Sequence, residues 1–299
     1  MPETRTAGNG AWRDRTFRTF DGLQIHYRDY AAEIRERTPL LCLPGLSRST
    51  QDFHDLAVHF STHKHRPRRV VVMDYRGRGL SEHDSNAANY RIDIEMNDML
   101  HLTTVAGIEH AGIVGTSRGG MIAMLAAAAR PSLIKATVLN DVGPVIEVAG
   151  LLRIKQIVAS EVAPVTWNDA IDRVRLTGTP QYPLFTDEDW EKLARMTYRD
   201  EGGRPVRNFD PKLYETIAHL NMDTVLPPLW AQFDALRRVP AMVIRGEHSD
   251  ILSKETVKAM AQRMPTLEVV EAADQGHAPL LCFQKLLQKV SAFFNTHLD

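Results

Sequence analysis

Short apolar runs alternate along this chain with longer segments whose apolar residues recur at helical spacing. Two of the runs, typical of buried strands, are Ala111–Val114 and Thr137–Asp141. One segment has apolar residues at roughly helical spacing, namely Ile92, Met96, Met99, Leu100 and Val105. The clearest helix is the last, where one face carries Phe283, Leu286, Leu287, Val290, Phe293 and Phe294. This alternation predicts an α/β fold with a mostly parallel central sheet and helices on both faces.

Near the start of the chain the pattern changes to strict alternation of apolar and polar residues. Thr16–Phe20 and Leu23–Tyr27 both follow it, and Asp21-Gly22 lies between them. An Asp-Gly pair between two alternating runs is a strong hairpin signal. We therefore expect a β-hairpin at one edge of the sheet.

The alternation of strands and helices breaks between about residues 143 and 239. This stretch has no good strand run but several helical patterns, one of them opening at Asp187 with acidic residues in its first turn. Gly202-Gly203 and Pro227-Pro228 punctuate it. It also contains three of the four tryptophans: Trp167, Trp190 and Trp230.

The most informative short motif is a serine with a glycine two residues away on either side. Gly115, Ser117 and Gly119 follow the apolar run 111–114 and precede the apolar segment 120–129. A serine pinched between a buried strand and a buried helix is the arrangement of a nucleophile elbow, in which a strained turn exposes the hydroxyl above the sheet edge. The context makes Ser117 a candidate nucleophile rather than an ordinary turn serine.

From this elbow outward the chain resembles the α/β-hydrolase family. Residues 40–46 resemble the strand and loop that build the family's oxyanion hole, and residues 70–81 match its D-x-R-G-x-G-x-S strand and turn. Residues 241–250 resemble the strand that carries the acid, and residues 274–279 the G-H-x-P loop that carries the base. The motifs occur in the family's order of Ser, Asp and His.

The resemblance implies a catalytic triad. Ser117 is the nucleophile, His277 the base that accepts its proton, and Asp250 the acid that fixes the imidazole tautomer. The backbone N–H groups of Leu46 and Arg118 are the implied oxyanion hole. The Arg118 side chain is expected to pack against or pair with the scaffold rather than bind an anionic substrate.

The sequence offers a second candidate for the acid of the triad. Asp141 also ends a strand, the one after the elbow helix, and some family members carry the acid there. The Gly246–Asp250 context matches the usual strand end better. We therefore expect Asp250 to be the acid and Asp141 to be a structural or pocket-edge carboxylate. The sequence departs from the family's commonest pattern at Pro44, where many relatives have histidine, but backbone donors do not depend on that side chain.

In the α/β-hydrolase family, which this chain resembles, an insertion at the position of residues 143–239 is a helical cap over the active site. The implied organisation is a core domain of residues 1–142 and 240–299 with a cap at 143–239. Substrate selection would then lie mainly in the cap, because a cap excludes water and shapes the pocket. The length and aromatic content of this segment suggest a moderately sized, partly apolar substrate.

Three functions remain open. The first is hydrolysis of a carboxylic ester or lactone through an acyl-enzyme, which we favour on family frequency. The second is cleavage of a carbon–carbon bond beside a ketone, and the third is a triad-bearing ligand receptor with slow hydrolysis. Ser117 argues against haloalkane dehalogenases and epoxide hydrolases, which use aspartate at the elbow. Cofactor-free oxygenases and haloperoxidase-like members carry serine and stay open.

Composition narrows the partners and the compartment. A formal net charge of −1 over 299 residues offers no footprint for nucleic acid or an anionic membrane. The two cysteines, Cys42 and Cys282, fit a reducing compartment, and no apolar run marks a signal peptide or a membrane helix. We expect a cytoplasmic protein that acts on a small molecule without a cofactor or metal, with a homo-oligomer left open. The histidines that crowd the region 54–65 fit no common metal-binding pattern.

Overall fold

The computed structural model describes residues 5–6, 12–160 and 163–298. The strands in these ranges form one nine-stranded sheet and a separate two-stranded hairpin. The start of the chain, which carries the expectation of no signal peptide, lies largely outside these residues. The strands are β1 (Arg5–Thr6), β2 (Trp12–Arg18), β3 (Gln24–Tyr30), β4 (Leu40–Leu43), β5 (Val70–Met73), β6 (Ala111–Thr116), β7 (Ile134–Asn140), β8 (Tyr198–Glu201), β9 (Arg204–Arg207), β10 (Ala241–Gly246) and β11 (Glu268–Ala272).

The order of strands in the large sheet is β1-β2-β3-β5-β4-β6-β7-β10-β11. All neighbours from β5 to β11 pair in parallel, whereas β1, β2 and β3 pair antiparallel. The expected hairpin is β2–β3, closed by a turn in which Gly22 has a φ of 87°. The prediction of a mostly parallel sheet is confirmed.

Helices cover the sheet on both faces. They are α1 (His54–Ser61), α2 (Ile92–Val105), α3 (Arg118–Ala129), α4 (Val148–Ala159), α5 (Trp167–Gly178), α6 (Asp187–Thr197), α7 (Trp230–Ala235), α8 (Lys254–Arg263) and α9 (Gln284–His297). Short 3-10 helices occur at Thr50–Phe53, Ala87–Asn89, Pro131–Leu133, Pro211–Thr216 and Leu236–Arg238. No helix within the described ranges has the length and hydrophobicity needed to cross a membrane.

The parallel strands are buried on both faces because their side chains alternate between two hydrophobic clusters. Leu41 and Val71 belong to the cluster that contains residues of α2, α3 and α8. Leu40 and Val70, one position earlier in each strand, belong to the cluster with α1 and α9. A period of two with both sides apolar explains the uninterrupted apolar runs in the sequence.

The turn after β5 is structural. The Asp74 carboxylate accepts hydrogen bonds from the backbone N–H groups of Thr50 (2.6 Å) and Leu80 (3.1 Å), and it contacts Nδ1 of His26 at 2.7 Å. A Cβ atom on Gly79 would lie 2.2 Å from the Asp74 carboxylate, so only glycine fits there. The motif of residues 74–81 therefore ties the loop after β4 to the sheet.

The segment between β7 and β10, residues 143–239, is called the insertion below. It contains α4, α5, α6 and α7, and α6 begins at Asp187 as expected, with Thr186 and Asp189 forming a capping box. The expectation that it lacks strands is wrong, because β8 and β9 form an antiparallel hairpin. Gly202 and Gly203, which looked like punctuation, turn the hairpin with φ angles of 60° and 85°. The division of the chain into core and cap domains stays a prediction.

Candidate active site

Ser117 occupies a strained turn between β6 and α3. Its φ of 53° and ψ of −115° lie outside the regions that most side chains adopt. A Cβ atom on Gly115 would lie 2.5 Å from the backbone of Gly119, and one on Gly119 would lie 2.0 Å from the carbonyl oxygen of Leu43. Both flanking positions therefore require glycine, which is the physical content of the G-x-S-x-G pattern here.

His277 lies within hydrogen-bond distance of this serine. It is in the loop between β11 and α9, and its Nε2 is 2.9 Å from Oγ of Ser117. Its side chain is only 7% exposed. A base at this distance can accept the proton of the hydroxyl as the oxygen attacks a carbon atom.

The carboxylate partner of His277 is Asp141, so the expectation that Asp250 fills this place is wrong. Nδ1 of His277 is 2.8 Å from Oδ2 of Asp141. A carboxylate only accepts, so with Asp141 ionised the ring donates through Nδ1–H and leaves Nε2 free to accept from Ser117. Asp141 follows β7 directly, is fully buried and has a φ of 54°. It is the alternative that the sequence left open.

The loop after β10 holds the Asp141 carboxylate in place. The backbone N–H of Gly246 donates to Oδ1 at 2.8 Å, and the hydroxyl of Ser249 donates to Oδ2 at 2.6 Å. The backbone N–H of Asp141 itself donates to the carbonyl of Ile244 at 2.7 Å. The segment 241–250, in which the sequence analysis expected the acid, therefore supplies the hydrogen-bond donors that fix Asp141 at the end of the neighbouring strand.

Asp250 instead pairs with Arg153 of α4. Its two carboxylate oxygens accept from Nε and Nη2 of that guanidinium at 2.6 and 2.8 Å. Burial works to raise the pKa of Asp250, but the hydrogen bonds and charge of Arg153 outweigh it and hold the pKa below its ordinary value. β7 and β10 are parallel neighbours in register, Asn140 beside Ile244, so both aspartates follow strands that end at one sheet edge. Spacing along the chain could not separate them.

The two expected oxyanion donors stay a prediction. Leu46 lies in the loop after β4 and lines the same pocket as Ser117, with Gly45 beside it. Arg118 is the first residue of α3, where a backbone N–H has no acceptor within the helix. The Arg118 side chain faces the scaffold as expected, since it pairs with Glu95 and donates to the carbonyl of Tyr90 at 2.9 Å.

Ser117 and His277 open into a cavity of about 190 Å³. The insertion supplies much of its apolar lining through Ile154, Ile157, Val174, Leu193 and Met196. The three tryptophans of the insertion are not among the lining residues of this cavity as far as the structure describes it. Aliphatic side chains and a methionine, rather than tryptophans, therefore give the insertion's side of the pocket its apolar character.

Two residues of the insertion, not singled out from the sequence, hold the loop of His277. The side-chain oxygen Oε1 of Gln181 accepts the backbone N–H of His277 at 2.7 Å. The hydroxyl of Tyr182 donates to the carbonyl of Ala278 at 2.9 Å. Both side chains are buried, and a Cβ on Gly276 would lie 2.0 Å from the Gln181 amide. No motif marks these residues, because their partners are 96 positions away.

Comparisons with known proteins identify the fold family. The model of the α/β-hydrolase fold family matches residues 38–281. The chain is 30% identical over 263 residues to a 3-hydroxybutyrate-oligomer hydrolase of Cupriavidus necator, a match that covers 86% of this chain and 87% of that protein. It is 26% identical over 242 residues to a 2-(acetamidomethylene)succinate hydrolase of Mesorhizobium japonicum, covering 80% and 81% of the two chains.

A solved structure shows the same architecture. The crystal structure of an α/β hydrolase from Novosphingobium aromaticivorans superposes with a TM-score of 0.87 and is 36% identical in sequence. The match covers 95% of this chain and 98% of that one. The elbow, the parallel sheet and these matches lead to one conclusion: the chain belongs to the α/β-hydrolase fold family and is related to its hydrolases.

Proposed function

We propose that this protein is a serine hydrolase that cleaves a small to medium, partly apolar carboxylic ester or lactone. Ser117 is the nucleophile, His277 the general base and acid, and Asp141 the carboxylate that orients the imidazole. The observation that carries the proposal is the unbroken chain of hydrogen-bond contacts, 2.9 Å from Ser117 Oγ to His277 Nε2 and 2.8 Å from His277 Nδ1 to Asp141. This is the arrangement needed to activate a hydroxyl whose own pKa leaves it a weak nucleophile.

The reaction proceeds in two halves. Oγ of Ser117 attacks the carbonyl carbon while its proton passes to Nε2 of His277, giving a tetrahedral oxyanion. The carbon–oxygen bond to the alcohol then breaks, the alcohol leaves with the proton from His277, and Ser117 is acylated. Water attacks the acyl carbon, gives its proton to His277, and releases the acid as Ser117 regains its hydrogen. Asp141 stabilises the imidazolium in both halves without itself becoming protonated.

The oxyanion is stabilised in this scheme by two backbone donors and a helix. The N–H groups of Leu46 and Arg118 bind the developing charge, and the N-terminus of α3 lies at the nucleophile. Loss of one such donor in other enzymes lowers kcat by about 10² to 10³. Pro44 does not interfere, because the donors belong to the backbone.

The insertion acts as the cap in this proposal. Its aliphatic side chains line the cavity beside Ser117, and its residues Gln181 and Tyr182 contact the loop of the base. A substrate must therefore pack against the insertion to reach the nucleophile, which makes this segment the main determinant of substrate choice. The boundaries we propose for it are residues 143–239.

The name of one relative favours the ester. The Cupriavidus necator protein is a hydrolase of 3-hydroxybutyrate oligomers, whose units are joined by ester bonds. The Mesorhizobium japonicum relative is also named as a hydrolase.

We also propose a cytoplasmic location, since Cys42 and Cys282 are both free thiols, as expected in a reducing compartment.

A fluorophosphonate probe tests the nucleophile. We expect the probe to label Ser117 alone, identified by peptide mass mapping. A panel of short acyl esters, lactones and vinylogous diketones should include esters or lactones that the wild-type protein hydrolyses and the Ser117→Ala variant does not. Labelling at another residue, or full ester turnover by Ser117→Ala, would contradict the proposal. Turnover of diketones alone would favour carbon–carbon cleavage, and very slow turnover with a ligand-induced rise in Tm would favour a receptor.

A further inference from the structure

Cationic side chains outnumber anionic ones in the wall of the catalytic cavity. Its charged side chains, apart from His277, are Arg48, Asp52 and Arg153. Asp250, the partner of Arg153, is not among the lining residues described for this cavity. Each arginine is paired with an aspartate, Arg48 with Asp52 and Arg153 with Asp250, and only the aspartate of the second pair lies outside the wall. A mostly apolar pocket in which a cation faces the cavity is suited to an anionic group.

The guanidinium of Arg48 already has hydrogen-bond partners within the protein. Its Nε and Nη2 each donate to Asp52 at 2.8 Å, and its Nη1 donates to the hydroxyl of Thr197 at 2.6 Å. An anion that approached Arg48 from the cavity would also approach Asp52, because both line the wall. The two charges largely cancel, so Arg48 is a poor anion site.

Arg153 differs in both respects. Asp250 engages its Nε and Nη2, and no hydrogen bond of Nη1 to another described residue is present. Its side chain is 23% exposed, and Ile154 and Ile157 of the same helix also line the cavity. Asp250 thus orients the guanidinium while its own carboxylate lies outside the wall.

Arg153, Tyr182 and His277 all line the catalytic cavity. The hydroxyl of Tyr182 is buried, and burial raises its pKa. The same hydroxyl contacts the loop of His277, at Ala278. The guanidinium of Arg153 therefore lies at the same cavity as the catalytic base and not at a remote part of the surface.

We propose that Arg153 binds a carboxylate of the substrate, so that the preferred esters carry a free carboxylate near the scissile ester bond. This inference rests on the proposed ester hydrolysis and specifies its substrate class. Nη1 supplies the N–H donors, and the planar guanidinium matches the geometry of a carboxylate. The pairing with Asp250 keeps the side chain in place before the substrate arrives, which lowers the entropic cost of binding.

Two matched pairs of esters test the proposal. The first is 3-butanoyloxybutanoate and its primary amide, with the carboxylate on the alcohol side. The second is monomethyl glutarate and its half-amide, with the carboxylate on the acyl side. Within each pair the substrates differ in charge and are similar in size. We expect the wild-type protein to have a higher kcat/KM for the anion in at least one pair, by about tenfold to a hundredfold, as a charged hydrogen bond provides.

The Arg153→Met/Asp250→Asn variant should lose this preference. The double change removes both members of the ion pair, so no unpaired Asp250 is left to repel the substrate. Arg153→Lys keeps the charge but not the planar fork, and it should retain part of the preference. Arg175→Met is the matched control, because Arg175 pairs with the exposed Asp187 and does not line the cavity. Its preference should equal that of the wild type.

The outcomes separate this inference from the function beneath it. If the wild-type protein hydrolyses the neutral esters through Ser117 but shows no preference for either anion, the carboxylate site is wrong and the hydrolase stands. A preference that persists undiminished in a folded double variant would also overturn it. If the double variant does not fold, competition decides: 3-hydroxybutyrate should inhibit neutral-ester hydrolysis more strongly than its amide, and equal inhibition contradicts the site. Absence of all Ser117-dependent hydrolysis would overturn both proposals.

Discussion

Two aspartates follow neighbouring parallel strands at one edge of the sheet and have different surroundings. Asp141 follows β7, is fully buried, and accepts hydrogen bonds from Gly246, Ser249 and His277. Asp250 comes after β10, has a side chain that is 28% exposed, and pairs with Arg153. The family resemblance favoured the second, and the structure places the first at the histidine. The strand end alone does not make an aspartate the acid; its hydrogen-bond partners do.

The partners also explain why the two cannot exchange roles without rearrangement. Both oxygens of Asp250 accept from one guanidinium, which fixes this carboxylate on Arg153, whereas the imidazole of His277 bonds to Asp141. Asp141 has one oxygen held by a backbone N–H and the other shared between Ser249 and His277. A carboxylate fixed in this way can hold an imidazole in a single orientation and tautomer.

The largest effect should come from Asp141→Asn. An amide in this place favours the wrong imidazole tautomer, and the equivalent change in a serine protease lowers kcat by about 10⁴. We expect a loss of similar size in ester hydrolysis, measured as kcat at saturating substrate. Circular dichroism should show equal fold content, so that instability is not mistaken for lost chemistry. An Asp141→Asn variant that keeps most of its activity would show that the acid lies elsewhere.

A smaller loss should follow from changing Gln181. Gln181→Met removes the acceptor of the His277 backbone N–H, and an unmet buried donor costs about 1 to 3 kcal/mol. We expect kcat to fall by about tenfold or more, through displacement of the base. Gln181→Glu keeps an acceptor oxygen and should retain more of the kcat than Gln181→Met. If both variants lose the same activity, or neither does, Gln181 does not position the histidine.

Asp250→Asn should have a modest effect on the hydrolysis of a neutral ester. The change loosens Arg153 but leaves the contacts among Ser117, His277 and Asp141 in place. We expect kcat to fall by less than about tenfold, against the 10⁴ expected for Asp141→Asn. Steady-state rates of both variants on one neutral ester give the comparison. A near-dead Asp250→Asn enzyme would reverse our assignment of the two carboxylates.

The smallest effect concerns stability. The pKa of Asp250 is held below its ordinary value, because Arg153 outweighs the effect of burial. A carboxylate with a lowered pKa contributes stability above its unfolded pKa of about 3.9, and this contribution is lost as the pH falls through the folded pKa. Asp250→Asn should therefore be less stable than the wild type at pH 7 by about 0.2 to 1 kcal/mol.

Urea unfolding between pH 7 and about pH 3.5 measures this difference. It should be constant from neutral pH down to about pH 5 and shrink below the ordinary pKa of aspartate. Arg175→Met, which breaks a more exposed ion pair with Asp187, is a suitable control for the loss of a single charge pair. A difference that grows as the pH falls would mean that Asp250 is not stabilised in its charged form.

Local motifs made part of this site predictable. Ser117 could be identified because its tight turn has room only for glycine at positions 115 and 119. Such a local steric requirement is visible as a short motif in the sequence. The apolar runs predicted the parallel strands, because each is buried on both faces. His277 was identified by its resemblance to the G-H-x-P loop, which is also a short motif.

What could not be predicted depends on contacts between distant segments. Asp141 and Asp250 are each preceded by a strand, and only the placement of the loop after β10 against β7 decides between them. Gln181 meets the loop of His277 through an insertion with no recognisable motif. The hairpin β8–β9 was missed because its strands are short and polar, with only Pro205 buried, and so lack the apolar alternation of a half-buried strand. Its Gly-Gly turn was the one available signal.

The rate at which a fluorophosphonate labels Ser117 tests the proposed triad most directly, because it reports activation of the hydroxyl without knowledge of the substrate. The second-order rate constant of labelling, followed by intact mass, is compared for the wild type, Asp141→Asn and Asp250→Asn at equal fold content. We expect Asp141→Asn to be labelled orders of magnitude more slowly and Asp250→Asn at a rate close to that of the wild type. Slow labelling of Asp250→Asn together with normal labelling of Asp141→Asn would contradict the triad of Ser117, His277 and Asp141.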